Sequence, residues 1–422
     1  MSFNPELDLR TPNIDRLMAR GTTFTRCYTS SPLCAPARAC LASGRSFERC
    51  PAPSNQDDYD LSVPTVYQCL RDTGYRVAGV GKFDLHKGLA KPLDWYLDGS
   101  RLLDEWGFTD GIDNEGKFDG SGSYRRQGGP KGPYMNFLHQ EGVAEAYVKE
   151  HADCGERGDV YITALTDEQY CDNWLSDNGL NILRSLPAGQ PWFIQVNFTG
   201  PHNPFDVTQR MCETVKDRSF PDPVNSADKQ AKNNQKNARR YYAAMIENID
   251  RQIGRFLDLV AAREELDNTL IVFCSDHGEM LGDHQRWGKS VWQEGSIHVP
   301  LVIAGPGARQ GAVSDARVVL HDVTRTFIEA AGTEALADTE SRSLWPVLRG
   351  ETSEHRDHVL TGLGGWRCVV TQKHKWVTGF RDTPEILIDL ENDPEELKNL
   401  AGNPAYSTIQ HELDQHIKKI IQ

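Results

Sequence analysis

A cysteine and an arginine four positions apart form the first chemically suggestive group of the chain. They lie in the run SPLCAPARACLASGR at residues 31–45, as Cys34 and Arg38. Because Pro32 and Pro36 flank the cysteine and each lacks an N–H donor, the pattern argues against a simple buried helix at this point. A sulfur held beside a permanent guanidinium charge favours an anionic nucleophile or an anionic substrate. The alternative is a structural thiol on a surface loop.

Ionisable side chains also follow three short apolar runs that have the composition of buried strands. The runs are YRVAGV at 75–80, PWFIQVNF at 191–198 and NTLIVFCS at 268–275. In an open α/β sheet, ligands bind beyond the carboxyl ends of the strands. The residues at those positions are Lys82, Asp84 and His86 after the first run, His202 after the second, and Asp276, His277, Asp283, His284 and Lys289 after the third. Three strand ends that supply such residues predict one shared site.

Each of these residues also has a purely structural interpretation. Asp276 and His277 suit a divalent cation, through a carboxylate oxygen and an imidazole nitrogen, but the same pair can form a turn with a helix N-cap. His202 lies between two prolines in GPHNPF, so it is either a rigidly placed functional side chain or a structural histidine. Lys82 and His86 can equally be solvated residues near the end of a strand.

Composition restricts the classes of function. The 422 residues, of which 38% are hydrophobic and 25% charged, suit one to three globular domains. A formal net charge of −14 argues against a nucleic-acid partner, and the absence of a long apolar run argues against a membrane span. The ten cysteines are scattered without CxxC pairs, so neither a zinc site nor a disulfide framework is predicted. No signal peptide is visible, which leaves cytoplasmic and periplasmic or secreted locations open.

Alternating strands and helices must position the ionisable residues. A fourth strand is predicted at 298–307, after the three runs above. Helices are predicted at 11–21, 62–74 and 239–264, the last with apolar residues mostly three or four positions apart. This alternation predicts an α/β fold with a mainly parallel sheet sandwiched by helices.

The remaining segments have a different character. The polar segments 100–160 and 205–238 are interpreted as long insertions near the active face. The alternating run RCVVTQKHKWVTGF at 367–380 predicts an antiparallel hairpin. We therefore expect a catalytic α/β domain at 1–345 and a small C-terminal α+β subdomain at 346–422 that ends in a helix.

The motif around the cysteine resembles the signature of the type I, formylglycine-dependent sulfatases of the alkaline phosphatase superfamily. That signature is Cys-x-Pro-x-Arg, then a leucine and Thr/Ser-Gly-Arg. Here it consists of Cys34, Pro36, Arg38, Leu41, Ser43, Gly44 and Arg45, with Ala37 in place of the usual serine. Four further segments are typical of the family, namely TPNIDRLMARGTTFTRCY, LRDTGYRVAGVGK, SDHGEMLGDH with WGK, and LIDLENDPEELKNLA. The resemblance therefore extends over nearly the whole chain.

The resemblance implies that Cys34 is oxidised to formylglycine by a formylglycine-generating or other sulfatase-maturing enzyme. One hydroxyl of the hydrated aldehyde would attack the sulfur of a sulfate ester, and the second would expel sulfate and restore the aldehyde. One divalent metal, Ca²⁺, would be bound by Asp276, His277 and the modified Cys34. The implied substrate is a small-molecule or carbohydrate sulfate ester.

The resemblance also implies roles for the other candidates by position. Arg38 would hold the formylglycine hydroxyl. Lys82 and Lys289 would bind sulfate oxygens through ammonium hydrogen bonds. His202 would serve the leaving-group oxygen as an acid or hydrogen-bond donor. The family commonly has a histidine two residues after the first lysine, where this chain has an aspartate, so His86 is the candidate for that role.

One departure from the family pattern concerns the metal. The family's first strand ends in a metal-binding Asp-Asp pair some tens of residues before the cysteine, and no such pair precedes Cys34. We expect a truncated reading frame, whose absent strand would be central in the sheet. Two alternatives to a sulfatase stay open. One is a phosphonate or phosphate ester hydrolase of the same superfamily, and the other is a non-catalytic relative that binds sulfated glycans or another partner.

Overall fold

The structure is a computed structural model that describes residues 7–87, 93–154, 158–225, 229–334, 336–381 and 383–421. Its strands are β1 (Gly21–Tyr28), β2 (Arg76–Gly81), β3 (Asp110–Asp113), β4 (Val160–Ile162), β5 (Trp192–Asn197), β6 (Phe205–Val207), β7 (Ile271–Cys274), β8 (His298–Ala304), β9 (Ala312–Ser314), β10 (Val318–Val319), β11 (Val359–Leu363), β12 (Trp366–Val370), β13 (His374–Thr378) and β14 (Ile386–Asp389).

The α-helices vary widely in length, from one turn to 34 residues. They are α1 (Pro12–Arg20), α2 (Cys34–Ser43), α3 (Val66–Asp72), α4 (Leu103–Trp106), α5 (Lys117–Gln127), α6 (Pro133–Gln140), α7 (Ala144–Asp153), α8 (Cys171–Ser185), α9 (Gln209–Val215), α10 (Lys229–Ala262), α11 (Glu294–Ile297), α12 (Asp322–Ala330), α13 (Trp345–Leu348) and α14 (Ser407–Ile421). No helix of the described ranges is long and apolar enough to cross a membrane.

The chain forms two compact units. The first unit comprises Met1–Leu17, Tyr67–Thr269 and Leu281–Trp287. The second unit comprises Met18–Val66, Leu270–Met280 and Gly288–Gln422. The predicted boundary between residues 345 and 346 stays a prediction.

The first unit contains a parallel sheet of order β3-β2-β5. Helix α8 packs against the three strands and α10 packs against α8, and their apolar faces close the core because each helix has apolar residues at helical spacing. Gly81 at the end of β2 is in register with both Asn197 of β5 and Asp113 of β3. The three strands therefore end together, and the loops that follow them leave from one edge of the sheet.

The second unit contains a sheet of order β10-β1-β8-β7, with β9 also paired to β1. β1 runs parallel to β9 and β10, whereas β8 runs antiparallel to both β1 and β7. A separate antiparallel sheet, β11-β12-β13-β14, follows in the chain, and α14 covers it with Leu413 and Ile417 against Trp376 and Leu387. The predicted hairpin corresponds to β12 and β13.

The predicted α/β class, with parallel sheets and a C-terminal antiparallel subdomain, is confirmed. The direction of β8 is the main difference, because an apolar run at 298–307 has the same composition in either direction. The segment 100–160, which shows little periodicity, contains the helices α4 to α7. Residues 155–157 and 226–228 of the two predicted insertions lie outside the described residues.

Candidate active site

Cys34 is the first residue of a helix, contrary to the expectation from its flanking prolines. α2 begins at Cys34, and eight of its residues are buried. Pro36 lies in the first turn, where backbone N–H groups have no partner within the helix, so the missing donor costs no helical hydrogen bond. The helix ends at Gly44, which adopts the left-handed conformation with φ 69°.

Helical spacing places the cysteine and the arginine on one face of α2. Residues four positions apart are neighbours on a helix, and side chains point back towards its N-terminus. The Arg38 guanidinium is thereby directed at the Asp276 carboxylate, with Nε and Nη2 each 2.9 Å from Oδ2. The Cys34 Sγ lies 3.3 Å from the His277 Nε2. Four residues of the predicted site are therefore in direct contact within the second unit.

The loop after β7 fixes the orientation of the aspartate and the histidine. The Thr29 hydroxyl donates to the Asp276 carbonyl at 2.6 Å, and the Ser275 hydroxyl donates to the His277 carbonyl at 2.7 Å. The His277 Nδ1–H donates to the Gly278 carbonyl at 2.9 Å, which makes Nε2 the basic nitrogen of the neutral ring. A Cβ atom on Gly278 would lie 2.1 Å from the Gly295 carbonyl oxygen, so only glycine fits at this close approach.

The cluster has the donor set of a cation site. Cys34, Asp276 and His277 each offer a ligand atom, and these atoms lie within 4.8 Å of one another. Burial opposes protonation of His277, but the Asp276 carboxylate and the Cys34 sulfur together outweigh this effect, and the pKa of His277 is raised. A carboxylate oxygen and an imidazole nitrogen that converge on one point fit a divalent cation.

Lys289 lies in a loop that contacts the segment before α2. The neighbouring Ser290 N–H donates to the Pro32 carbonyl at 3.0 Å, which ties this loop to the approach to Cys34. The charge of Lys289 acts to lower the pKa of His277, so its ammonium group acts on the cluster electrostatically.

A buried ionic network that the sequence did not predict holds the continuation of that loop. The Lys375 ammonium group, which is fully buried, lies 2.7 Å from Glu294 Oε1 and donates to the Trp292 carbonyl at 3.2 Å. It also contacts Glu396, whose other oxygen accepts the Glu294 N–H at 2.8 Å. Glu396 belongs to the DPEE segment of the family resemblance, but nothing in that motif indicates its partners.

In the first unit, Lys82 and His86 are buried rather than solvated, each at about one-twentieth exposed. Lys82 follows Gly81, which adopts a φ of 110°. A Cβ atom added at Gly81 would lie 2.0 Å from the Asn197 carbonyl oxygen, so this position requires glycine. The Lys82 ammonium group lies 3.0 Å from Asp84 Oδ2, so the aspartate at the family's histidine position pairs with the lysine.

His202 lies in the loop after β5, flanked by the cis peptide bonds Gly200–Pro201 and Asn203–Pro204. Its Nδ1–H donates to the Asn203 carbonyl at 2.6 Å, so Nε2 is the basic nitrogen of the neutral ring. The fully buried Asp172 carboxylate holds the start of the loop. It accepts the Thr199 N–H at 2.8 Å, the Thr199 hydroxyl at 2.9 Å and the Gly200 N–H at 3.1 Å.

Asp283 and His284, which the sequence placed in the same group as Asp276, belong to the first unit. Asp283 Oδ1 accepts a hydrogen bond from the Val224 N–H at 2.7 Å and from Arg239 Nη2 at 2.5 Å. These contacts give Asp283 a structural role. Lys82, His86 and His202 thus lie on loops of the first unit, and Cys34, Arg38, Asp276, His277 and Lys289 lie in the second.

Comparison with known proteins identifies the class. A sequence profile of the sulfatase family matches residues 1–333, and one for the C-terminal part of N-sulphoglucosamine sulphohydrolase matches residues 282–422. Choline-sulfatase of Rhizobium meliloti (strain 1021) is 31% identical, over 94% of this chain and 78% of the relative. Arylsulfatase of Clostridium perfringens (strain 13 / Type A) is 26% identical, over 94% of this chain and 86% of the relative.

The fold is shared with phosphonate monoester hydrolase of Agrobacterium radiobacter. That structure matches with a TM-score of 0.80 at 22% identity, over 100% of this chain and 92% of the other. Fold and site together define an enzyme of the alkaline phosphatase superfamily. Within that superfamily the chain belongs to the sulfatase family, and it is a sulfuric ester hydrolase.

Proposed function

We propose that the chain hydrolyses its sulfate ester through a formylglycine made from Cys34, with a divalent cation bound by Asp276 and His277. The observation that carries this proposal is the direct contact of Cys34, Arg38, Asp276 and His277 in one cluster. We infer that the substrate is a sulfated carbohydrate or an aryl or alkyl sulfate, and that a sulfatase-maturing enzyme is the partner that oxidises Cys34.

The thiol of Cys34 occupies the position from which the oxygens of a formylglycine hydrate would project. When present, that hydrate supplies one hydroxyl for attack on sulfur and a second for release of sulfate. The residues around it favour charge on these oxygens. Cys34 is the first residue of α2, where the helix dipole favours an anion, and the Arg38 guanidinium lies on the same face.

Asp276 and His277 are the residues that would hold the cation. When bound, a divalent cation supplies positive charge that polarises a sulfate oxygen and acidifies a bound hydroxyl. We assign Ca²⁺ because the sulfur of Cys34 would be replaced by oxygen in formylglycine, and Ca²⁺ prefers oxygen ligands. The Arg38–Asp276 pair orients the carboxylate before the cation arrives.

Further charged side chains would act on the sulfate group and on the leaving group. The ammonium groups of Lys82 and Lys289 would donate hydrogen bonds to sulfate oxygens, on which negative charge grows during the reaction. His202 would transfer a proton from Nε2 to the leaving oxygen, because its Nδ1–H is already held by the Asn203 carbonyl. His86, which is buried in the loop after Lys82, would take the role of the family's histidine near that lysine.

A phosphonate or phosphate ester hydrolase is the second candidate function. The similarity to phosphonate monoester hydrolase supports it through the fold alone. An anion site with an arginine, two lysines and a divalent cation can bind a phosphonate monoester as well as a sulfate monoester. The relatives that carry the name sulfatase favour the first candidate.

The test is release of phenolate from an aryl sulfate by chain co-expressed with a formylglycine-generating enzyme and supplied with Ca²⁺. We expect hydrolysis by the wild type, and a loss of roughly 1,000-fold or more in Cys34→Ala because the nucleophile is removed. Mass spectrometry of the peptide that contains residue 34 reports the oxidation directly.

Cys154→Ala is the matched control, because Cys154 is a half-buried thiol of the first unit whose Sγ lies 3.3 Å from the Glu150 carbonyl oxygen. It should retain wild-type activity. Equal activity in Cys34→Ala and wild type would exclude residue 34 as the source of the nucleophile. Faster hydrolysis of an aryl phosphonate than of the aryl sulfate would favour the second candidate.

A further inference from the structure

Lys117, at the start of α5, is a buried cation that lies beside the His202 loop. Its side chain is 1% exposed, and it pairs with Asp206 of β6, whose side chain is equally buried. The distance from Lys117 Nζ to Asp206 Oδ1 is 2.5 Å. Burial of a charge is costly unless the charge is paired and its hydrogen bonds are satisfied. The partners of this ammonium group therefore account for its position.

The other two partners of Lys117 are main-chain carbonyls of the His202 loop itself. The ammonium group donates to the His202 carbonyl and to the Pro204 carbonyl, each at 3.3 Å. An ammonium group has three N–H donors, and the two carbonyls and Asp206 take all three. Lys117 thus joins the backbone of residue 202 to strand β6.

The next residue of α5 contacts the imidazole ring of the same histidine. The Phe118 ring lies edge-on to the His202 ring, with 6.3 Å between centroids and an interplanar angle of 73°. Such edge-to-face contacts stabilise one orientation of a ring pair. The first turn of α5 therefore contacts the backbone of His202 through Lys117 and the side chain of His202 through Phe118.

We propose that Lys117 is a positioning residue for His202 and that it sets the placement of the proton donor for the leaving group. This inference rests on the proposed role of His202. Asp172 anchors the start of the loop and Lys117 anchors its centre, so removal of the ammonium group frees the segment that carries the imidazole. Displacement of a catalytic group by about 1 Å can cost on the order of 100-fold in rate.

The test compares two aryl sulfates, 4-nitrophenyl sulfate with a good leaving group and phenyl sulfate with a poor one. A proton donor matters for the poor leaving group and little for the good one. For Lys117→Met we expect kcat/KM to fall roughly tenfold to 100-fold on phenyl sulfate. The same variant should fall less than about threefold on 4-nitrophenyl sulfate. A purely structural role would lower both values by the same factor.

Two further variants keep the test decisive. The double variant Lys117→Met/Asp206→Asn removes both buried charges, so no unpaired charge remains if the single variant does not fold. The double variant should show the same selective loss on phenyl sulfate. Arg263→Met is the matched control, since Arg263 also donates to two main-chain carbonyls, those of Leu183 and Leu186 at 3.0 Å and 3.2 Å, and pairs with Glu265. Arg263→Met should leave the ratio of kcat/KM on the two aryl sulfates unchanged.

The outcomes separate the inference from the proposed function. A wild type that hydrolyses neither sulfate would overturn the proposed function and this inference with it. An active wild type with an equal loss on both substrates, or no loss, in both Lys117 variants would overturn the inference alone. A selective loss on phenyl sulfate that Arg263→Met does not show would support it.

Discussion

The His202 loop of the first unit and the Cys34 cluster of the second unit hold their functional groups in opposite ways. In the first unit, buried charges at Lys117 and Asp172 bind the main chain of the loop, and they leave the functional ring to be placed by the backbone. In the second unit, Arg38 and Asp276 bind each other directly and keep about one-seventh and one-fifth of their side chains exposed.

This difference separates two uses of charge. A fully buried ion pair can orient a loop, because its partners are fixed and water does not compete with them. A charge that must meet a sulfate group and a cation has to stay partly accessible, so it is oriented by a neighbour of opposite sign. The comparison predicts that variants of the Cys34 cluster lose activity with little loss of stability. Variants of the residues that anchor the His202 loop should lose both stability and activity.

The largest effect should follow from removal of the cation or of its carboxylate ligand. Asp276→Asn and treatment of the wild type with a chelator should each lower aryl sulfate hydrolysis by roughly 100-fold or more, since cation-assisted charge stabilisation is lost. Added Ca²⁺ should restore the chelated wild type but not the variant. The melting temperature without cation should change by only a few degrees.

Asp258→Asn is the control for that experiment. Asp258 forms an exposed ion pair with Arg16 at 3.1 Å. The same substitution there breaks an Arg–Asp contact of similar length that is far less buried than the Arg38–Asp276 contact. Its activity and calcium dependence should match those of the wild type. Calcium-independent activity in Asp276→Asn would show that the carboxylate is not a ligand.

An intermediate effect is expected from the buried carboxylate that anchors the His202 loop. Asp172→Ala leaves the Thr199 and Gly200 donors without their acceptor, and unsatisfied buried donors cost about 1–3 kcal/mol each. We expect a loss of about 3 kcal/mol in the free energy of unfolding, measured by denaturant titration, together with the same selective loss on phenyl sulfate as in Lys117→Met.

Asp250→Ala separates those two losses. Asp250 also accepts main-chain amides, those of Asn13 at 3.1 Å and Ile14 at 2.7 Å, and thereby caps α1 rather than the loop. It should lose a similar free energy of unfolding and keep the wild-type ratio of the two aryl sulfates. If Asp250→Ala also shifted the ratio, lower stability alone would explain the effect.

The residues of the Cys34 cluster could be selected from the sequence, whereas the residues that anchor the His202 loop could not, for a physical reason. Cys34 and Arg38 are four residues apart on one helix, and Asp276 and His277 follow one strand, so local spacing is enough to bring each pair together. Lys117 lies in a polar segment without strong periodicity, and its contact with residues 85 and 87 positions away depends on the path of the whole chain. A lone lysine gives no local signal of such a contact.

The strands show the same limit. β5 and β7 fall within the predicted runs and β2 extends one residue beyond its run, because buried strands have a distinctive apolar composition. Composition gives no strand direction, however, and β8 proved antiparallel to its neighbours. The prolines around Cys34 misled for a related reason, since proline disfavours the interior of a helix but not its first turn.

The smallest effect on activity is expected from a buried carboxylate of the first unit that is held by main-chain donors. Glu115 lies near the start of α5, and its Oε1 accepts the Met135 N–H at 2.8 Å. Burial raises its pKa from an ordinary value of 4.5 to about 7, although main-chain donors act in the opposite direction. The folded state therefore binds a proton that the unfolded state has already released between these two pH values.

The sign of the pH dependence follows from that difference. The contribution of neutral Glu115 is complete below about pH 4.5 and is lost as the pH rises through about 7, so wild-type stability falls over this interval. Glu115→Gln keeps the carbonyl acceptor and carries no charge. At pH 8 it should be more stable than the wild type by roughly 3 kcal/mol, with little difference at pH 4.5, as measured by denaturant titration at the two pH values.

Glu265→Gln should show the opposite sign. The Arg263 hydrogen bond lowers the pKa of Glu265, so its contribution is present above the ordinary value of 4.5 and is lost as the pH falls. This variant should be less stable than the wild type at pH 8, by well under 1 kcal/mol because the pair is partly exposed. A gain at pH 8 in Glu115→Gln alone would show that a buried carboxylate held by main-chain donors destabilises the folded chain once it ionises, whereas a carboxylate paired with a guanidinium group stabilises it.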